Sequence, residues 1–384
     1  MSGTSSLDAE VAVVGVGTAG SMALWQLAAA GVDAIGFERV APGHDQGAVG
    51  GETRLFRMAY AEGGQWLGPL RRSLDGWRRL ERETGTTLLT QCGGLSIGRP
   101  DEPYVQAVLG MAREHGLPVE VFDRAAMAHR YPQHTTLPGE VGVFDPQAGF
   151  LRSDAAVLTA AARAESLGAQ VLRHTPVEEI EPHDDFVVVR AGGRTWRFRD
   201  VVLCAGSWSG RFLPRVLGAH VRPKRVLLSW FAARDPAPFT PDRFPVFVRE
   251  TSGVHIYGTP SIDGATVKVA GATESQMVDD PSAVERRHSA EEMGSIADAV
   301  GRFLPGLHPD PVRMDAFTDL YATDGVPLLG RVPGADRLIV ATAFSGRGFK
   351  LAPTIGAAVT DLVLGHPDPD LGFCTPARVA LSAS

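Results

Sequence analysis

The apolar pattern of the first forty residues sets the fold class. Glu10–Val14 is a five-residue, mostly apolar run, too short for a helix and the right length for a buried strand. Glycines at 15, 17 and 20 interrupt it. Ser21–Ala30 then carries apolar residues at helical density as far as Gly31, a residue suited to ending a helix. A second apolar run, Val32–Phe37, completes a βαβ unit and ends at Glu38. Farther on, Trp66, Leu67, Leu70, Leu74, Trp77 and Leu80 recur at helical spacing, with Arg71, Arg72, Arg78, Arg79 and Arg82 between them as a solvated face. Leu88–Ile97 reads as a hairpin, and residues 102–145 mix short helices with proline-rich turns such as Tyr131-Pro132. An alanine-rich helix follows, with Ser153 or Asp154 as N-cap. Strands are expected at Gln170–Arg173, Phe186–Arg190, Thr195–Phe198 and Val201–Cys204. Residues 224–320 read as a mostly antiparallel sheet interrupted by one helix near Ala283–Phe303. The chain closes with a strand, Leu338–Ala343, a glycine-rich turn, and a helix over about Leu351–Leu364 with Pro353 in its first turn.

Composition narrows this picture. A chain of 384 residues with 44% apolar and 21% charged residues forms two domains, or one large α/β body with an insertion. The net charge of −7 argues against nucleic acid or an anionic membrane as partner, and no apolar run reaches membrane-spanning length. Met1–Asp8 is polar and has no apolar leader. Cys92, Cys204 and Cys374 lie far apart and form no C-x-x-C, which fits a reducing, cytoplasmic setting. No H-x-x-x-H pair supports a metal site.

The chemistry begins in the glycine turn. G-x-G-x-x-G occurs by chance in a chain with 44 glycines; here strand, helix and acid are all in register around it. Gly15 permits a tight turn, Gly17 lets backbone approach a pyrophosphate, and Gly20 lets the helix lie close on the strand. The helix start offers free N–H groups to phosphates, and Glu38 can accept from ribose hydroxyls. The alternative is an ordinary tight turn. Arg39 would favour a 2′-phosphate, but Glu38 repels one. Residues 39–51 are either a surface loop or a backbone path wrapped around a cofactor. Arg54 and Arg57, three apart, share a face if their segment is helical. Lys268 points opposite to Val267 and Val269 in a strand, and by itself reads as a surface lysine. Phe344–Lys350 is a second glycine-rich turn opening a second helix, whose N-terminus can stabilise negative charge.

The string Gly51–Gly63, G-[DE]-T-R-x-x-R-x-A-Y-x-E-G, directly behind such a βαβ unit, resembles the sarcosine oxidase and N-methyltryptophan oxidase group of FAD-dependent amine oxidases, which have the D-amino acid oxidase type of fold. The strings A-G-x-W at Ala205–Trp208 and G-x-G-F-K at Gly346–Lys350 are similar to theirs too. The resemblance runs from about residue 10 to 365 and is strongest at 10–63, 201–209 and 337–355. It implies an α/β architecture: a Rossmann-like FAD-binding domain assembled from discontinuous segments (8–85, 146–218 and 320–384), and a mainly antiparallel-sheet substrate domain (86–145 and 219–319). It implies that FAD is held by Gly15, Gly17, Gly20, Glu38, Arg39, Gly51, Thr53, Val177, Ala205, Gly206, Trp208, Gly346, Gly348, Phe349 and Lys350, with the Val177 backbone at the adenine. Without the resemblance Val177 is plain core. Arg54 and Lys268 would then sit near the flavin ring, Lys268 helping oxygen to react. Tyr257 and Tyr321 would line the pocket, and Arg57 and Lys350 would clamp a substrate carboxylate.

Three departures qualify the resemblance. Asp319 stands where several relatives attach FAD through cysteine, so non-covalent FAD is expected. Val49 and Gly50 stand where relatives carry histidines. Ala272 replaces a histidine four residues past Lys268, which allows a substrate larger than a small N-methyl amino acid. The expected activity is oxidation of an amine or N-substituted amino acid by a monomer or small homo-oligomer, with O2 reduced to hydrogen peroxide. The alternatives are an FAD-dependent dehydrogenase passing electrons to another acceptor, a flavoprotein subunit without its own oxidase turnover, and an NAD(P)-linked dehydrogenase.

Overall fold

The computed structural model describes residues 6–251, 253–271 and 276–382. In chain order the elements are β1 (Ala9–Val14), α1 (Thr18–Ala29), β2 (Ala34–Phe37), β3 (Thr53–Phe56), α2 (Leu67–Thr84), β4 (Leu89–Thr90), β5 (Gly94–Gly98), α3 (Pro103–His115), β6 (Glu120–Phe122) and α4 (Arg124–Arg130). Next come β7 (Val141–Asp145), β8 (Gly149–Arg152), α5 (Ser153–Ser166), β9 (Gln170–Leu172), β10 (Val177–Pro182), β11 (Val187–Ala191), β12 (Arg194–Leu203), α6 (Arg215–Ala219) and β13 (Val221–Ala233). The last are β14 (Val246–Thr251), β15 (Val254–Thr259), β16 (Thr266–Gly271), β17 (Gln276–Met277), α7 (Ala290–Phe303), β18 (Leu307–Ala322), β19 (Leu328–Val332), β20 (Ala335–Thr342), α8 (Gly348–Leu364) and α9 (Ala377–Ser382).

These strands form three sheets. An eight-stranded sheet runs β10-β11-β12-β1-β2-β9, with β20 beside β12 and β19 beside β20. Its centre, β12, β1, β2 and β9, is parallel, as is the β12–β20 pair. Both faces of β1 are covered: Val11 and Val13 pack into one apolar cluster with α1, α5 and α8, and Ala12 and Val14 into another. That explains its unbroken apolar run. A nine-stranded sheet runs β17-β13-β16-β15-β14-β5-β7-β6, with β18 on β13. It is antiparallel apart from the β5–β14 pair. One face, including Ile97, Phe231, Phe247, Ile256, Val267 and Val269, packs on Ile296, Val300 and Phe303 of α7. The small sheet β3-β8-β4 lies between. Among the described residues no helix is long and apolar enough to cross a membrane.

Several local expectations are corrected. Residues 53–56 are a strand, because they pair with Gly149–Arg152; Arg54 and Arg57 are not on a helix. Residues 88–97 are no hairpin: β4 pairs with β8, whereas β5 pairs with β7 and β14. The runs at 195–198 and 201–204 merge into one strand, β12, whose first half pairs with β11 and whose second half pairs with β1 and β20. Neither Ser153 nor Asp154 caps α5: Arg152 is the N-cap residue, and the Ser153 hydroxyl donates to the Val49 carbonyl instead (2.7 Å). The helix near 283–303 begins only at Ala290, where Ser289 and Glu292 form a capping box. Helix α8 starts three residues early, which places Pro353 in its second turn, packed on Gly76 of α2.

Candidate functional site

A cavity of about 760 Å³ lies between the two large sheets, and most residues singled out above line it. Its first end is made of backbone. Gly15 has φ +89°, and a Cβ there would lie 2.6 Å from the Cys204 carbonyl oxygen. A Cβ on Gly20 would lie 1.8 Å from the Gly15 carbonyl oxygen, so Gly20 serves the close packing of α1 and does not itself face the cavity. Gly17 is different. The nearest atom to a Cβ placed there is Val49 Cγ2 at 3.9 Å, which leaves the backbone open to a ligand. Helix α1 has no side-chain cap, and Thr18 and Ala19 in its first turn line the cavity. Its first N–H groups therefore look for an acceptor outside the helix. The Glu38 carboxylate is held by the N–H groups of Val16 and Val40, each at 3.0 Å, with His44 Nε2 3.5 Å away. Arg39 stacks on Trp208 at 4.2 Å and donates to Gln46. Val177, Ala205 and Gly206 complete this end. An open glycine, a bare helix start and a fixed acid suit a dinucleotide.

The second end is made of side chains. Lys268 lies on β16 between Val267 and Val269, and those valines face the α7 core. Lys268 therefore faces the cavity, not solvent, and is only 4% exposed. Its Nζ donates to the carbonyls of Gly51 (2.9 Å) and Thr53 (2.6 Å). Burial pushes its ammonium well below the usual lysine range; Arg54 and Arg313 add repulsion and Glu52 opposes it. Arg54 donates to the carbonyls of Ala48 and Thr53, both at 2.6 Å, and of Gly50. Two cations thus hold the carbonyls of residues 48–53. Gly51, at φ +92°, meets Lys268 through its carbonyl and does not line the cavity. The Thr53 hydroxyl meets that of Thr259 at 3.2 Å. A side chain at position 50 has no room, since a Cβ would lie 2.1 Å from the Phe317 ring.

The second glycine turn closes this end. Asp319 Oδ2 accepts from the Gly346 N–H at 2.9 Å, and Oδ1 from the Leu320 N–H at 2.8 Å. Burial raises the Asp319 carboxyl, against the pull of those N–H groups and of Arg54 and Lys224. Tyr321 bridges to Phe344, and Lys224 Nζ lies 4.7 Å above the Tyr321 ring. Burial raises the phenols of Tyr257 and Tyr321, so both are neutral donors near pH 7. Ala343 and Ser345 have φ of +56° and +52°. At Ala343 the Cβ is strained by that positive φ.

Arg57 and Lys350 meet at one ring. Lys350 Nζ lies 3.7 Å, and the Arg57 guanidinium carbon 5.5 Å, from the centroid of Tyr60. Arg57 donates to the Tyr104 hydroxyl at 2.8 Å, and its buried Nε has no partner. Among the described residues neither cation forms an ion pair. Burial lowers Lys350 to about 7; Arg57 and Arg347 repel it and Glu62 opposes. Glu62 acts on both, and two cations against that one carboxylate, one buried and one half-buried, suit a further anion.

All the residues expected at the site line this cavity except Gly20 and Gly51. Ala272 lies outside the described residues. Of the three cysteines only Cys204 lines the cavity, and burial pushes its thiol up to about 12. Tyr60, Tyr104, His44, Glu250 and His255 also line it and were not singled out. Tyr60 belongs to the Gly51–Gly63 string, which was a usable signal. His44 lies in the glycine-rich loop at 39–51, and Tyr104, Glu250 and His255 lie in stretches with no local pattern.

The FAD dependent oxidoreductase family profile (DAO) matches residues 10–362. The monomeric sarcosine oxidase of Streptomyces avermitilis is 32% identical, over 97% of this chain and 98% of that protein. The N-methyl-L-tryptophan oxidase of Yersinia pestis is 29% identical, over 94% and 97%. Among solved structures, the open form of NikD, an amino acid oxidase of nikkomycin biosynthesis, shares the fold at a TM-score of 0.86 and 21% identity, over 97% of this chain and 98% of that one.

Proposed function

This chain belongs to the FAD dependent oxidoreductase family and is an FAD-dependent oxidoreductase of the sarcosine oxidase type, and from that premise we propose that it oxidises a carboxylate-bearing amine, an amino acid or N-substituted amino acid, with O2 as acceptor and FAD held non-covalently. The observation that carries this reading is the convergence of half-buried Arg57 and buried Lys350 on one tyrosine ring, with no ion pair to either among the described residues. FAD, when bound, supplies the two-electron acceptor: hydride leaves a carbon next to nitrogen, water hydrolyses the imine, and the electrons pass to oxygen as hydrogen peroxide.

The chain's own groups then have separate tasks. Gly15, Gly17, the start of α1 and Glu38 hold the dinucleotide. Arg57 binds the substrate carboxylate as a fork and Lys350 as a point charge. Tyr257 and Tyr321 wall the reacting carbon. When protonated, Lys268 spends two of its three donors on Gly51 and Thr53, which leaves one for the flavin side of the cavity. Asp319 cannot form a thioether and is tied to Gly346.

The decisive experiment is an anaerobic screen of amines and amino acids on the purified holoprotein. Bleaching of the flavin by an amino acid, recovery of colour in air and release of peroxide are expected. If nothing on the panel bleaches it, the reading falls; if bleached enzyme stays bleached in air, the acceptor is not oxygen. Acid precipitation should release all the yellow colour. Flavin retained on the denatured band would overturn non-covalent attachment.

A further inference from the structure

The cavity face of the nine-stranded sheet carries chemistry that the proposed oxidation leaves without a task. Along β15 the alternate positions are His255, Tyr257 and Thr259; opposite them stand Glu250 and Val248 on β14, and Lys268 on β16. Lys268 and Tyr257 belong to the reacting end. Glu250 and His255 lie two residues beyond Tyr257, roughly 7 Å along the strand, and both line the cavity. His255 Nδ1 is 2.9 Å from Glu250 Oε2. Pro103, Tyr104 and Ala107 of α3 line the cavity as well, and Tyr104 joins this wall to the carboxylate clamp through Arg57.

The pairing fixes what these two groups present. In the tautomer that donates its Nδ1 proton to the Glu250 carboxylate, the ring offers Nε2 as an acceptor. The carboxylate only accepts. The pair is therefore an acceptor site of negative charge, opposite in sign to Arg57 and Lys350. At 34% and 46% side-chain exposure, such a pair adds little to fold stability. A ligand with its carboxylate on Arg57 and Lys350 and its C–N bond near Tyr257 has its side chain left to run along Tyr104 toward these acceptors.

We propose that the substrate is an amino acid whose side chain ends in a nitrogen hydrogen-bond donor, an ammonium, guanidinium or ring N–H, and that Glu250 and His255 select it. This rests on the amino-acid reading above. The test compares Nα-methyl-L-arginine, -lysine and -tryptophan with Nα-methyl-L-norleucine and -glutamate, by anaerobic flavin reduction in the holoenzyme. The donors should be favoured over norleucine by about tenfold to a hundredfold, the range of a hydrogen bond to a charged group. Glu250→Gln and His255→Phe should each lower that ratio about tenfold. Calorimetric titration with α-methyl-ornithine and α-methyl-norvaline, whose α-carbon carries no hydrogen, should give the same order in Kd. Norleucine reacting as well as the donors, or a ratio unmoved in both variants, overturns the proposal. If Glu250→Gln loses flavin, Glu250→Asp and His255→Phe carry the same reading of the ratio. Bleaching by every side chain alike removes this inference alone; no bleaching by any member of the panel removes the amino-acid reading with it.

Discussion

At the end of the cavity proposed for the dinucleotide the surface is offered by Gly15, Gly17 and the uncapped start of α1, all within one βαβ unit. At the reacting end they come from Arg54, Arg57, Tyr257, Lys268, Asp319 and Lys350, carried on four separate stretches of chain. Backbone N–H groups are the same in every residue, so the first end depends on where side chains are missing. The second depends on which side chains arrive and on the charge each keeps once buried. The first end is therefore specified locally, by residues that leave the backbone bare. The second is specified by tertiary packing and is adjustable one residue at a time.

The largest test of that contrast is Lys268→Met. If its role is charge, reoxidation of the reduced flavin by oxygen slows by roughly two powers of ten or more, while anaerobic reduction changes far less. Because burial pushes its ammonium down, wild-type reoxidation should also slow as pH rises through that lowered value; equal loss in both half-reactions removes the role. Next, Arg57→Ala and Lys350→Ala should each weaken binding of the acid by about tenfold to a hundredfold, from about 1.5–3 kcal/mol per charged hydrogen bond. Decarboxylated analogues should feel neither change, and wild type turning them over as well as the acid ends the clamp. Gly17→Ala tests the other end by one carbon. The apoprotein has room for it and should keep its melting temperature, yet FAD affinity should fall by about tenfold or more; unchanged affinity would mean the pyrophosphate does not approach there.

Smaller effects sharpen the same comparison. Burial lowers Lys350 to about 7. It is charged below that value and neutral above it, so affinity for a carboxylate should fall above pH 7 by up to about tenfold per unit. Lys350→Met should flatten the profile, since Arg57 does not titrate there. Smallest is Ala343→Gly, which relieves a φ of +56° and should raise stability by about 1 kcal/mol, read as a higher melting temperature.

How much of this was legible follows the same division. The order of strand, glycines, helix, strand and acid in residues 9–38 stands in the sequence as in the fold, although α1 begins at Thr18, before the expected Ser21, and β2 at Ala34, after the expected Val32. For Lys268, alternation with two valines gave the correct face of the sheet. It could not tell solvent from cavity, because the cover comes from residues 48–53, more than two hundred positions away. Arg54 and Arg57 were misplaced on a possible helix, since their strand exists only through pairing with residues 149–152. The 88–97 hairpin failed likewise, its two halves joining different sheets. Resemblance to known strings supplied the convergence of Arg57 with Lys350 that spacing alone cannot give. Tyr104, Glu250 and His255 matched no string and became visible only in three dimensions.

The position of β12 also imposes a timetable. One edge of its second half pairs with β1, near the start of the chain, and the other with β20, near its end. Lys350 follows β20 by only eight residues. A ribosome making this protein has therefore released the glycine fingerprint more than three hundred residues before the clamp exists. Until then β12 has a bare edge, and the flavin has only half a berth. If that berth holds the flavin, cofactor loading should come late, and nascent chains stalled before residue 335 should emerge colourless.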